Sequence, residues 1–97
     1  MKIWIDADAC PRGVRDVVLR AAERRRVPLT FVANKFVPTP TLAWINSVQV
    51  PHGLDVADAY IVQHVGPHDL VVTQDVPLAA EVVEKGALAI SHRGVVW

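Results

Sequence analysis

Short apolar runs alternate with amphipathic segments along the whole chain, and this alternation restricts the possible folds more than any other feature. The apolar runs, which predict strands, are residues 2–5, 29–33, 45–50, 70–73 and 87–90. The segments with helical spacing, which predict helices, are residues 12–26, 55–65 and 77–86. Strands that are separated by helices pair in parallel through right-handed crossovers. The sequence therefore predicts a three-layer α/β/α fold with a parallel sheet of about five strands.

The length of the chain predicts a single domain over residues 1–97, because two domains of half this size would each bury too small a core. Its composition is 52% hydrophobic but only 6% aromatic, which is typical of a buried parallel sheet covered by helices. On the first helix, the residues that recur at helical spacing predict one buried face: Val14, Val17, Val18, Ala21 and Ala22.

Cysteine content and hydropathy indicate a cytoplasmic protein. The single cysteine, Cys10, cannot form an intramolecular disulfide, and no apolar run approaches the roughly 20 residues that span a bilayer. We therefore expect no association with a membrane. Ten basic and ten acidic side chains cancel, but residues 1–50 carry a net charge of +4 and residues 51–97 a net charge of −4. This asymmetry is compatible with a basic face beside an acidic pocket.

Aspartates follow two of the predicted strands at the point where each strand ends. Asp6 and Asp8 come directly after the first strand, and Asp75 follows the fourth. Open α/β sheets carry their chemistry at the carboxyl ends of strands, especially where the strand order reverses. Asp55 and Asp58 are three residues apart on a predicted helix, hence on one face. The sequence therefore predicts an acidic cluster at one edge of the sheet.

Crowded carboxylates repel one another unless a cation neutralises them, so the cluster predicts a metal site. Oxygen ligands favour Mg²⁺ or Mn²⁺ over zinc, and such ions promote phosphodiester hydrolysis. Each aspartate also has a structural explanation: Asp8 or Asp55 could cap a helix, and Asp58 could favour the positive end of a helix dipole. The combination of D-x-D after one strand and T-Q-D after another favours a site.

Other polar and aromatic residues are weaker candidates. The candidate substrate contacts near strand ends are Asn34, Thr73 and Arg93. Cys10 precedes a helix, where a thiol can become nucleophilic, but an isolated cysteine is more often a small buried hydrophobe. The arginines of residues 24–26 could contact phosphate, although charge runs are usually solvated. Residues 35–44 contain two prolines and predict a loop, which Lys35, Phe36 and Trp44 frame. These three residues could provide charge and a stacking platform for a single strand, or could pack in a core or subunit contact.

Several motifs together resemble one family. WIDADACP, RAAERR, the VAN after the second strand, GLDVADAYIV and DLVVTQDVPLAAEVVEKGA are similar to the uncharacterised bacterial YaiI/YqxD family, whose members look like PIN-related domains. The resemblance implies a sheet of order 3-2-1-4-5 and Mg²⁺- or Mn²⁺-dependent nuclease activity. It also implies that members of the family continue into a polar, helical C-terminal tail that is absent here. The acidic metal-site positions that it implies are Asp6, Asp58 and Asp75, with Asp8 and Asp55 as additional members.

Three functions are compatible with these residues. The first is a nuclease acting on RNA or DNA, with Asp6 and Asp75 as metal ligands and with Asp58 and Asp8 positioning water or a second ion. The second is a phosphatase of the haloacid dehalogenase type, with Asp6 as nucleophile, Asp8 as acid/base and Thr73 contacting phosphate. The third is a non-catalytic metal- or nucleotide-binding module that regulates a partner. Each is compatible with a homo-oligomer.

Overall fold

A computed structural model describes all 97 residues and gives five strands and three helices. The strands are β1 (Ile3–Asp6), β2 (Leu29–Ala33), β3 (Ile45–Gln49), β4 (Leu70–Val72) and β5 (Leu88–Ile90). The helices are α1 (Arg12–Arg25), α2 (Val56–His64) and α3 (Val76–Glu84). Each element lies within two residues of its predicted bounds. None of the helices is long and apolar enough to cross a membrane.

The five strands form one parallel sheet in the order β3-β2-β1-β4-β5, which confirms the predicted order. In the central strand β1, Ile3 is in register with Leu29 of β2 on one side and with Leu70 of β4 on the other. The chain moves outward in one direction from β1 to β3 and in the other from β4 to β5. The strand order thus reverses between β1 and β4, where the segments after both strands can form a ligand site.

Helices cover both faces of the sheet, which confirms the three layers. Successive side chains of a strand point to opposite faces. Accordingly, Ile3 and Ile5 belong to the core beneath α1, whereas Trp4 belongs to the core beneath α2 and α3. The same alternation places Phe31 in the first core and Val32 in the second. Both faces of the sheet are mainly apolar, with Thr30 of β2 as a buried polar exception.

The predicted buried face of α1 is wrong for two residues. Val17 is 59% exposed and Ala21 is also exposed, whereas Leu19 packs against the core beneath α1. The helix is rotated so that its contact with the sheet is centred on Val18 and Ala22. The five small apolar residues formed a stripe wider than the surface that the sheet offers, so one flank of the stripe remains exposed.

Candidate functional site

The acidic residues converge at the carboxyl edge of the sheet, where the strand order reverses. Asp6 is the last residue of β1, and Asp75 follows the neighbouring strand β4 by three positions. The charges of Asp8 and Asp75 both act on Asp6. Asp58 enters the same group from the first turn of α2. Three separate elements therefore contribute carboxylates to one region, as the aspartate pattern predicted.

Asp6 lies at the deepest point of this cluster. Only 8% of the residue is exposed, and it ends a strand whose four residues are all buried. Burial raises the pKa of Asp6, and the charges of Asp8 and Asp75 raise it further. A buried carboxylate beside two like charges is costly to keep ionised, and a cation would relieve that cost.

Asp58 shows the strongest electrostatic perturbation of the group. Burial raises the pKa of Asp58 to about 6, with further contributions from the charges of Asp6 and Asp75, a side-chain hydrogen bond with Asp75 and the charge of Asp55. A hydrogen bond between two carboxyl groups requires a proton. Asp58 and Asp75 are therefore close enough to share a proton when no cation is bound.

Helix capping explains only one of these aspartates. Pro11 occupies the N-cap of α1, so Asp8 does not cap that helix. Asp55 occupies the N-cap of α2 but makes no side-chain capping hydrogen bond, and its φ of 60° is uncommon outside glycine. Asp75 does cap α3, since its Oδ1 accepts a hydrogen bond of 2.9 Å from the backbone N–H of Leu78. The second carboxylate oxygen of Asp75 makes no such contact with the backbone.

A cavity of about 230 Å³ opens between the starts of α2 and α3, beside the cluster. The residues that line it are Asp55, Asp58, Ala59, Asp75, Pro77, Leu78 and Glu81. Glu81 is an additional acidic residue that the sequence did not single out. The sequence spacing could have identified Glu81, because it follows the buried Leu78 by three positions and so lies on the same face of the helix. The cavity thus presents four acidic side chains to a ligand.

The three predicted substrate contacts have different surroundings. The backbone N–H of Asn34 donates a 2.7 Å hydrogen bond to Oδ2 of Asp8, which joins the end of β2 to the cluster. Thr73 is fully buried, and its hydroxyl accepts a 3.0 Å hydrogen bond from the backbone N–H of Asp75. In this structure it therefore orients Asp75 rather than facing a ligand. Arg93 is exposed beyond β5, and its backbone N–H donates to the hydroxyl of Ser91.

Cys10 has the environment of a packed apolar residue. It is a free cysteine, only 6% exposed, within the core beneath α1. Burial raises the pKa of its thiol; the charge of Arg15 opposes this effect and that of Asp6 adds to it. Because a thiol with a raised pKa is mostly protonated near neutral pH, the site does not activate Cys10 as a nucleophile.

The carboxylate oxygens of the cluster are the type of ligand that Mg²⁺ and Mn²⁺ prefer, but they are not arranged around a common point. Every nearby acidic donor is a hard carboxylate oxygen, which these ions prefer. However, no group of three or more His, Cys, Asp or Glu side chains is arranged to hold a metal ion as it stands. One oxygen of Asp75 and one of Asp8 already accept hydrogen bonds from backbone N–H groups. Side-chain rotations would be needed to close the cluster around an ion.

The raised pKa of Asp58 predicts that the metal-free protein loses stability as pH rises from about 4 to about 6. Across that window the folded state binds more protons than the unfolded state, so stability is greatest below the ordinary pKa and is lost as pH passes the folded pKa. After allowance for partial solvent exposure, we expect Asp58 to contribute roughly 1–2 kcal/mol of this loss.

Urea denaturation in EDTA between pH 4 and pH 7.5 measures this effect. The decisive quantity is the difference in unfolding free energy between wild type and Asp58→Asn, because that difference cancels the titration of groups that do not interact with Asp58. We expect it to change across the window and to be constant above about pH 7. A difference that does not vary with pH would show that the carboxyl of Asp58 is not perturbed.

Comparisons with known proteins identify relatives along the whole chain. A family model described as "Uncharacterized BCR, YaiI/YqxD family" matches residues 4–97. A UPF0178 protein of Vibrio parahaemolyticus is 58% identical over 97 residues, which cover 100% of this chain and 66% of the relative. The corresponding values are 58%, 100% and 65% for a Vibrio vulnificus protein, and 57%, 100% and 61% for a Bordetella parapertussis protein. The chain thus spans slightly less than two thirds of these relatives. No solved structure matches it.

Proposed function

The chain belongs to the uncharacterised bacterial YaiI/YqxD family, and we propose that it is a divalent-metal-dependent nuclease domain that hydrolyses phosphodiester bonds of RNA or DNA. The observation that carries the proposal is the electrostatic coupling of Asp6, Asp58 and Asp75, which come from three different elements. Kinship with PIN-related domains and action in the cytoplasm are parts of the same proposal.

In this proposal, Asp6, Asp58 and Asp75 hold Mg²⁺ or Mn²⁺, and Asp55 is an additional ligand. When bound, such an ion lowers the pKa of water and neutralises charge on phosphate oxygens. Asp8 is exposed and keeps one oxygen free of its hydrogen bond with Asn34, so it can orient water. Asp58, with a pKa of about 6, releases its proton readily near neutral pH and becomes available as a ligand.

Hydrolysis of end-labelled single-stranded RNA and DNA tests the proposal. We expect cleavage with Mn²⁺ or Mg²⁺ and none with EDTA. Absence of cleavage on every strand, with both ions and with protein shown to be folded, would overturn it. Because the chain spans slightly less than two thirds of its curated relatives, the assay should be repeated on a full-length relative.

A non-catalytic metal- or nucleotide-binding module is the second candidate, because the mutually repelling carboxylates would favour a bound cation whether or not hydrolysis follows. A bound ion without turnover on either nucleic acid would support this candidate. The haloacid dehalogenase type of phosphatase receives less support, because its nucleophile Asp6 is only 8% exposed and its phosphate contact Thr73 is fully buried.

A further inference from the structure

A second polar cavity lies outside the carboxylate cluster, between α1 and the segment that follows β2. Its volume is about 190 Å³. The residues that line it are Arg12, Arg15, Asp16, Leu19, Phe31, Val37 and Pro38. Two of the charged side chains are guanidinium groups and one is a carboxylate, so the cavity offers a positive charge in excess of its negative charge.

Arg15 carries a donor that the protein leaves unused. The side chain is partly buried, and its Nε is fully enclosed yet has no hydrogen-bond partner. A ligand in the cavity cannot reach an enclosed Nε, so the terminal nitrogens of the Arg15 guanidinium are the donors available to it. Arg12 lies one turn earlier and is exposed, which allows its guanidinium to approach the same ligand. Guanidinium groups bind phosphate oxygens in pairs of parallel hydrogen bonds.

The size and walls of the cavity restrict its occupant. Pockets that hold a whole small molecule have volumes of roughly 300–1,000 Å³, so a cavity of 190 Å³ suits a single group such as a phosphate. Phe31 and Val37 are almost fully buried in its wall, and apolar walls strengthen charged contacts by excluding water. Asp16 disfavours an anion, so two arginines are needed to outweigh it.

The charges of Arg15, which lines the cavity, and of Asp6 both act on Cys10, so the cavity lies near the acidic cluster. Its wall residue Val37 is three positions beyond Asn34, whose backbone N–H is hydrogen-bonded to Asp8. A strand whose reacting phosphate lies at the aspartates could therefore place another phosphate between the arginines.

We propose that Arg12 and Arg15 bind a phosphate of a single-stranded nucleic acid beside the phosphate that reacts. This inference rests on the proposed function, because it is the nuclease activity that identifies the ligand as a nucleic-acid strand. The geometry that carries it is a cavity lined by two guanidinium groups, together with the contact between Asn34 and Asp8 beside it. The two guanidinium groups could equally bind free phosphate or the phosphate of a mononucleotide, and the experiment below distinguishes these ligands from a strand.

Fluorescence anisotropy of a labelled 12-nucleotide single strand, titrated with protein in EDTA, measures binding without turnover. We expect Arg12→Gln/Arg15→Gln to weaken binding at least tenfold and to lower the slope of log affinity against log salt by about 0.7, the contribution of one single-strand phosphate. The exposed single variant Arg12→Gln should weaken binding at least threefold with an unchanged melting temperature. This variant keeps the test valid if the double variant folds poorly.

The matched control is Arg20→Gln, which removes the same charge as Arg12→Gln from an exposed position further along α1. We expect less than a twofold loss for it. An equal loss in the control, or no loss in the Arg12 variants, would overturn the inference. Displacement of the strand by micromolar inorganic phosphate or a mononucleotide would assign the cavity to those ligands instead.

The two proposals can fail separately. A protein that binds the strand through Arg12 and Arg15 but never cleaves it retains this inference and loses the nuclease function. Conversely, a protein that cleaves with Mn²⁺ and has the same KM in wild type and in Arg12→Gln retains the function and loses this inference.

Discussion

Replacement of Asp6 by asparagine is expected to reduce Mn²⁺-dependent hydrolysis of single-stranded nucleic acid by more than about 100-fold. Loss of a residue that merely supports a metal ligand typically costs 10- to 100-fold, and Asp6 is proposed as a direct ligand at the centre of the cluster. Asparagine has nearly the same shape but lacks the charge, so the fold should be retained. Initial rates at saturating Mn²⁺ measure the effect.

The matched control is Glu84→Gln, the same exchange of a carboxylate for an amide at the opposite end of α3 from Asp75. Glu84 is exposed, so we expect its variant to cleave at the wild-type rate. Melting temperatures of both variants in EDTA separate catalysis from folding. Since Asp6 is repelled by Asp8 and Asp75, its neutral variant should melt no lower than wild type. Wild-type rates in a folded Asp6→Asn protein would exclude Asp6 from the metal site.

The strands and helices could be predicted because local patterns specify them. A run such as residues 29–33 is mainly apolar on both faces, which is typical of a buried parallel strand, and prolines mark the starts of helices α1 and α3. The order of the strands is different, because it depends on contacts between distant segments. It came from the family resemblance, and the structure confirms it.

Asp69 has a structural role, and the direction of its strand distinguishes it from the aspartates of the candidate site. Asp69 precedes β4 and so lies at the amino edge of the sheet. Burial alone would raise the pKa of Asp69, but hydrogen bonds from the backbone N–H groups of Gly66 and Lys2 and from the indole of Trp4 lower it below its ordinary value. This satisfied carboxylate holds two strands together, whereas those at the carboxyl edge repel one another.

The contacts of individual side chains could not be predicted from the sequence. Asp55 and Asp75 both occupy the N-cap position of a helix, yet only Asp75 accepts a capping hydrogen bond. The difference arises from the φ of 60° at Asp55, which no local pattern specifies. Likewise, the exposure of Val17 and the place of Glu81 in the cavity depend on how the helices are rotated against the sheet. Such rotations are determined by the packing of the whole molecule.

Mn²⁺ is expected to stabilise the wild-type protein by about 2.7 kcal/mol when its free concentration is a hundredfold above Kd. For a domain of this length, that gain corresponds to a rise in melting temperature of roughly 10–20 °C. The reason is that the ion binds the folded cluster and neutralises carboxylates that otherwise repel. Thermal unfolding with and without millimolar Mn²⁺, at constant ionic strength, measures the shift.

Two substitutions of Asp75 separate its proposed role as a metal ligand from its role as a helix cap. Asparagine caps helices as well as aspartate does, so Asp75→Asn should keep the hydrogen bond to Leu78, lose one repelling charge and melt no lower than wild type in EDTA. Asp75→Ala loses the same charge but also the cap, so it should be about 1 kcal/mol less stable than Asp75→Asn. Both variants should respond less to Mn²⁺ than wild type. If Asp75→Asn keeps the full Mn²⁺ shift, Asp75 serves only as a cap; if wild type shows no shift at millimolar Mn²⁺, the cluster does not bind the ion and the metal-dependent proposal fails.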